Sequence, residues 1–194
     1  VTTCLQTNTR WPLPLTYLGA IHLYQRRLLC VVTTVAPDDR DQAAVRAVDR
    51  DDLLTIHRIE KAAFPQPWPF SAFERYLDEP GFLVAEREDP DADGDQAVVG
   101  YVVADTVPNH GSPLGHVKDI AVDPDHRDEG VGSTLLQCAI DVLDDADAGS
   151  IKLEVRATND RAISLYREFD FHHRRTIPNY YGNGEDALVM VRSE

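Results

Sequence analysis

The stretch that most restricts the fold of this chain runs from residue 115 to residue 132. Its first part, from Val117 to Val122, is apolar and β-branched and predicts a strand. Asp123-Pro124-Asp125 is turn chemistry and stops that strand. Arg127-x-x-Gly130-x-Gly132 then leads straight into an apolar pattern of helical spacing. A glycine-containing turn that opens a helix presents several backbone N–H groups at the positive end of the helix dipole, which favours a phosphate or pyrophosphate. The glycines let such a ligand approach the backbone with no Cβ in the way. The spacing is neither the dinucleotide fingerprint nor the P-loop, because no Gly-Lys-Ser/Thr follows.

The rest of the chain reads as short elements around this unit. Residues 43–48 predict a first strand. Asp49 or Asp51 can cap a helix through about Ala63, with Leu53, Ile56, His57 and Ile59-Glu60 at helical spacing. Residues 64–70 form a stiff, proline-punctuated loop in which Trp68 and Phe70 offer apolar surface. Ser71 is expected to cap a short second helix ending near Asp78, and Glu79-Pro80-Gly81 stops it. Residues 82–86 and 97–106 make an antiparallel hairpin about a polar turn at 89–96. In the helix from Gly130 to about Leu143, Val131, Leu135, Cys138, Ala139 and Val142 share one face, as a helix packed on a sheet requires. A strand at 151–156, a helix at 159–169 and strands at 171–177 and 187–192 complete the order β-α-α-β-β-β-α-β-α-β-β. This is a mixed α/β chain with no internal repeat and no second domain.

Composition narrows the function. The chain has 194 residues, 43% hydrophobic, enough for one domain with a real core. Its net charge of −14 argues against nucleic acid or an anionic membrane as a general partner. The acid is spread along the chain and rich in Asp, which suggests solubility in high salt and a halophilic source. Cys4, Cys30 and Cys138 are too few and too far apart for a disulfide framework or a zinc site. Cys138 reads as a small core residue. His172-His173 would point to opposite faces of a strand, so no metal is assigned. No apolar run approaches the length of a membrane helix, and the protein reads as cytoplasmic. Residues 1–36 carry three arginines and no Asp or Glu. They read as a loose extension or an over-extended start, and the domain proper as 43–194.

Several motifs in the right order resemble the GNAT acetyltransferases: the strand–loop–helix at 115–132, Leu153-Glu154-Val155-Arg156-Ala157-Thr158-Asn159, and residues 162–169. Residues 179–187, Asn-Tyr-Tyr-Gly-Asn-Gly-Glu-Asp-Ala, resemble one branch, the RimI-like and archaeal protein N-terminal acetyltransferases. The resemblance covers roughly residues 43–194. It implies a central, mostly antiparallel twisted sheet flanked by helices, acetyl-CoA as co-substrate and no metal. It also implies that the pantetheine arm pairs with the splayed strand 116–122 like an extra strand. A backbone N–H near Ile120 or Ala121 would face the thioester oxygen, with Val122 alongside. Arg127 and the amides of Asp128, Glu129, Gly130, Val131 and Gly132 would take the pyrophosphate. Asp128-Glu129 departs from the glycine or basic residue usual in such loops, and two acids there should weaken binding unless they point outward or high salt screens them.

Acyl transfer to an amine needs a base for the ammonium, donors for the oxyanion and a proton for the departing thiolate. Glu154 stands inside an otherwise apolar strand, so it either faces solvent or is held at a site; the resemblance implies a general base. His116 opens the preceding strand, and an imidazole suits proton relay. The resemblance implicates it alongside the glutamate. Tyr166 is core or, by resemblance, the acid that protonates the thiolate. Asn159 is a helix cap and, by resemblance, a hydrogen-bond partner of coenzyme A. Phe64 and Trp68 would border the acceptor groove, or else staple two helices. Tyr180 and Tyr181 would grip the first residues of an acceptor peptide, or pack on the sheet edge. The expected reaction is direct transfer to the N-terminal α-amine of proteins, a ribosomal protein being one candidate, by a monomer or weak dimer. The alternatives are a lysine or small-molecule amine acetyltransferase and a non-catalytic acyl-CoA-binding regulator.

Overall fold

The computed structural model describes residues 43–88 and 96–193. The expected extension, residues 1–36, and most of the 89–96 turn lie outside the described residues. Seven strands form one sheet: β1 (Ala44–Ala47), β2 (Gly81–Glu88), β3 (Gln96–Val107), β4 (Leu114–Val122), β5 (Ser150–Arg156), β6 (His172–Ile177) and β7 (Ala187–Ser193). Their order is β1-β2-β3-β4-β5-β7-β6. Every neighbouring pair is antiparallel except β4 and β5. The helices are α1 (Leu53–Ala63), α2 (Phe70–Phe73), α3 (Val131–Asp145) and α4 (Asp160–Glu168). The element order is the expected one, and the mixed α/β sheet flanked by helices is present.

The two faces of the sheet carry different layers. On one, Leu135, Leu136, Ala139 and Leu143 of α3 and Ile163 and Tyr166 of α4 pack on Val102, Val117, Ile151, Leu153 and Val155. Cys138 lies in this core, as its helical position predicts. On the other, Ile56 and Ile59 of α1 and Phe73 of α2 pack on Phe82, Val84, Tyr101 and Val103. The strict alternation of β5 decides which side is chemical. Ile151, Leu153 and Val155 are buried towards α3, so Lys152, Glu154 and Arg156 share the opposite face.

Two local expectations are corrected. Ser71 is not the cap of the second helix: Pro69 is, with φ −68° and ψ 148° and no side-chain hydrogen bond. Proline pre-sets the entry angle, and the chain is already helical at Phe70. Asp49 does cap, but it caps a 3₁₀ turn at Arg50–Asp52 that precedes α1. Its capping box with Asp52 is tightened by Arg46, whose guanidinium reaches Asp52 at 2.6 Å and Glu86 at 2.5 Å.

Candidate active site

The only parallel junction of the sheet is incomplete. β4 pairs with β5 from Leu114–Ser150 to Val117–Leu153, and beyond that rung the two strands separate. Asp119 to Val122 remain paired with β3 but present their other backbone edge to a gap. The loop after β4 ends at the N-terminus of α3. Gly130 is the cap residue there, with φ 79°, a conformation glycine adopts without strain, and no atom lies within 4 Å of where its Cβ would be. Asp128, φ 67°, is left-handed too. The gap, the open glycine and the helix N-terminus therefore follow one another along the chain, as an extended ligand with an amide arm and an anionic end requires.

The two acids of this loop are not left facing an anion. Asp128 pairs with Arg161 of α4 at 2.9 Å, and Glu129 with Arg87 of β2 at 2.9 Å. His126 lies 3.4 Å from Glu129. Partner cations thus offset the charge that the sequence places there. Arg127 folds back, its Nε donating to the Val122 carbonyl at 3.4 Å. Asn159 caps α4 by accepting from the Ala162 N–H at 3.2 Å.

At the mouth of the gap, His116 Nε2 and Glu154 Oε2 are 2.7 Å apart across the last paired rung. Lys152 Nζ donates to the other carboxylate oxygen at 3.0 Å. Lys118 Nζ lies 3.4 Å from His116 Nδ1 and 3.2 Å from Asp105. Burial pushes the Glu154 carboxyl up, but the hydrogen bonds from His116 and Lys152 outweigh it and hold the group at about 2. Glu154 is therefore ionised throughout the working range and is tied to an imidazole, rather than turned to solvent. Tyr166 is 6% exposed and packs on Phe171. Burial first, then the Asp119 and Tyr181 groups, push its hydroxyl well above the ordinary tyrosine range. The hydroxyl therefore stays protonated, the form a proton donor needs.

The loop between β6 and β7 covers this region. Tyr181 stacks over the Arg156 guanidinium, 3.8 Å from centroid to Cζ, while Tyr180 is 51% exposed. Glu185 fixes the loop to the end of β5 through Arg156 at 2.7 Å and through the Thr158 hydroxyl. From the opposite side, the α1–α2 loop reaches it: the Gly182 N–H donates to Gln66 Oε1 at 3.2 Å. Phe64, Trp68 and Phe70 pack against the α1-side core, Trp68 stacking on Tyr76 at 6.0 Å. Their contacts are those of a staple that gives the loop its shape.

His116 and Glu154 are thus in direct contact where β4 and β5 part, Tyr181 is near enough to act on both Glu154 and Tyr166, and the glycine turn follows the free end of β4. Lys152, Arg156, Gln66 and Glu185 were not picked out from the sequence. The alternating charged face of β5 was the available signal for the first two. For Glu185 the signal was its place in the 179–187 stretch, and for Gln66 there was none. Among the described residues, no group of three His, Cys, Asp or Glu side chains could hold a metal ion.

A family model described as the acetyltransferase (GNAT) family matches residues 53–171. The chain belongs to the GNAT acetyltransferase family. An N-alpha-acetyltransferase of Sulfolobus acidocaldarius is 37% identical over 158 residues, covering 76% of this chain and 90% of that protein. The ribosomal protein bS18-alanine N-acetyltransferase of Escherichia coli K12 is 30% identical over 155 residues, covering 76% and 95%. Among solved structures, the NatC complex bound to Gag peptide and CoA superposes with a TM-score of 0.72 at 20% identity, covering 79% of this chain and 99% of that one. That likeness is one of fold. As a GNAT acetyltransferase, this chain is an acetyl-CoA-dependent N-acetyltransferase, and the splayed strands and glycine turn fit that co-substrate.

Proposed function

We propose that this GNAT enzyme transfers the acetyl group of acetyl-CoA directly to the N-terminal α-amine of protein chains. The observation that carries the reading is the His116–Glu154 pair, set where β4 and β5 part, together with the Gln66–Gly182 contact that joins the α1–α2 and β6–β7 loops. Relatives named for N-alpha-acetylation and for ribosomal-protein alanine acetylation support the same class of acceptor.

In this reading the pantetheine arm lies along Lys118 to Val122, with the thioester oxygen near the N–H of Ile120 or Ala121. The pyrophosphate sits on Arg127 and the amides of residues 128–132, and Asn159 bonds the cofactor while it caps α4. An α-amine has a pKa near ~8, so most of it arrives protonated at neutral pH. A carboxylate held at about 2 is a weak base on its own. The proton is therefore taken up by the His116–Glu154 pair, for which Glu154 supplies the charge and His116 the basic ring. The neutral amine attacks the carbonyl, the C–S bond breaks as Tyr166 gives its proton to the thiolate, and the proton that the new amide nitrogen sheds restores the Tyr166 hydroxyl through solvent. Tyr180 and Tyr181 hold the first residues of the acceptor, and Phe64 and Trp68 shape the groove opposite. The halophilic reading rests on the acidic sequence, net charge −14, and the cytoplasmic one on the lack of an apolar run of membrane-helix length.

Coenzyme A release measured with free-amino peptides, N-terminally blocked lysine peptides and small amines tests this. Turnover is expected with the first set. Turnover with blocked lysine peptides or small amines alone refutes it.

A further inference from the structure

A second polar cluster lies on the acceptor side of the sheet, and none of the steps above uses it. Glu60 of α1 is 1% exposed, inside an otherwise apolar layer. Its Oε1 accepts the Trp68 N–H at 2.6 Å, from the loop that faces the β6–β7 loop. Its Oε2 lies 2.5 Å from the Tyr101 hydroxyl of β3, and the same hydroxyl lies 2.8 Å from Asp119 Oδ2 of β4. Asp119 reaches this face through an irregularity in the ladder. Val103 pairs with Asp119 but Ala104 with Val117, so Lys118 is an extra residue. In a regular strand that kept Lys118 in the ladder, Asp119 would share the α3 side with Val117.

Counting protons fixes the order of the chain. A phenol has one proton to donate, yet this oxygen sits within hydrogen-bond distance of two carboxyl groups. One contact must therefore be donated to Tyr101 by a protonated carboxyl. Both carboxyls are pushed up by burial and each also accepts a backbone N–H, Glu60 from Trp68 and Asp119 from Ile120; their mutual contact favours the ionised form of Glu60 and the protonated form of Asp119, so the proton is assigned to Asp119. The groups facing this site are Glu60 from α1, Tyr101 from β3 and Tyr166 from α4, and among the described residues no Lys, Arg or His forms an ion pair with either carboxyl. We propose that Asp119, Tyr101 and Glu60 form a directional hydrogen-bond chain that holds one proton in the active enzyme and thereby positions the acceptor loop at Trp68 against the reaction centre beside Ile120. The proposal rests on the acceptor-side reading given above.

Two consequences follow. Burial, with the Glu60 charge beside it, pushes the Asp119 carboxyl up to about 8, so the proton leaves in mildly alkaline solution. Loss of that proton breaks the Asp119–Tyr101 bond. It also places a second negative charge near the Tyr166 hydroxyl, where the thiolate must form. Both effects lower activity as pH rises, although the amine acceptor becomes more reactive over the same range.

The test is the pH profile of kcat/KM for a free-amino peptide, for wild type and Asp119→Asn, with infrared difference spectra of both proteins. Amine titration is common to both profiles and cancels in their ratio. The wild type is expected to fall relative to Asp119→Asn as pH passes about 8, and to show a protonated carboxylic acid band at neutral pH that the variant lacks. Tyr101→Phe cuts the chain and is expected to raise the peptide KM about tenfold while the acetyl-CoA KM stays put. A pH-independent ratio, or no protonated acid band in the wild type, overturns the proposal. An Asp119-dependent band in an enzyme that acetylates no peptide at any pH supports the proton-holding chain and refutes the peptide reading instead.

Discussion

Glu154→Gln separates the proposed chemistry from ordinary packing, and its magnitude follows from the structure. Glutamine keeps the shape but removes the charge that His116 and Lys152 contact at 2.7 and 3.0 Å. The folded environment lowers the carboxyl from 4.5 to about 2, which corresponds to about 3 kcal/mol in favour of the charged form. The side chain is 16% exposed, so solvent screening removes little of this. The sign follows from a depressed pKa. The stabilisation is present above the unfolded value near 4.5 and is lost as pH falls through about 2. Glutamine resembles the protonated acid, so the variant should lose about 3 kcal/mol at pH 7, or about 6–12 °C in Tm for a chain of this size. The gap to wild type should close towards pH 2. Activity should fall by about 10²–10⁴ in kcat/KM at neutral pH and recover in part as the amine deprotonates near ~8. Thermal unfolding and initial-rate profiles on one peptide measure both. Full activity at neutral pH refutes the base assignment, and an unchanged Tm refutes the charge argument.

Tyr166→Phe should lower kcat with little change in acetyl-CoA affinity, because the donated proton matters only in the transition state; steady-state kinetics with calorimetry decide it. Gly130→Trp should abolish acetyl-CoA binding in a folded protein, since it fills the open side of the turn and strains a residue at φ 79°; normal binding by calorimetry would sink the loop assignment. Arg87→Ala and Arg161→Ala should each weaken acetyl-CoA binding several-fold at low salt and less at high salt, by freeing Glu129 or Asp128, as titrations across ionic strength would show. A chain starting near Val35 should fold and turn over like the full one, which thermal scans and rates check.

Much of this was legible because it is local. The hairpin, the Pro-Gly stops and the α3 stripe are written in spacings of two to four residues. Glu154 was visible as a carboxylate in a strand whose alternate positions are apolar. What was hidden depends on non-local pairing. Nothing in residues 187–192 says that β7 inserts between β5 and β6, and that insertion brings the Tyr181 loop over Arg156. The Glu60–Tyr101–Asp119 chain joins three elements, and Glu60 looked like one more residue at helical spacing. Only the extra residue in β4 turns Asp119 towards it. The Ser71 expectation failed because cap preference is an average over sequences, whereas Pro69 constrains this particular entry.

The four-rung junction between β4 and β5 divides the sheet into two blades, four strands on one side and three on the other. Backbone bonds stitch each blade along its length, but the seam between them is short. An amide-bearing arm lying in the gap adds the rungs that the chain omits. In the binding mode proposed above, acetyl-CoA is a removable stitch as well as a reagent. By mass action a ligand at a hundred times its Kd adds about 2.7 kcal/mol to stability. In that mode the stability of the protein rises with the supply of the molecule it consumes.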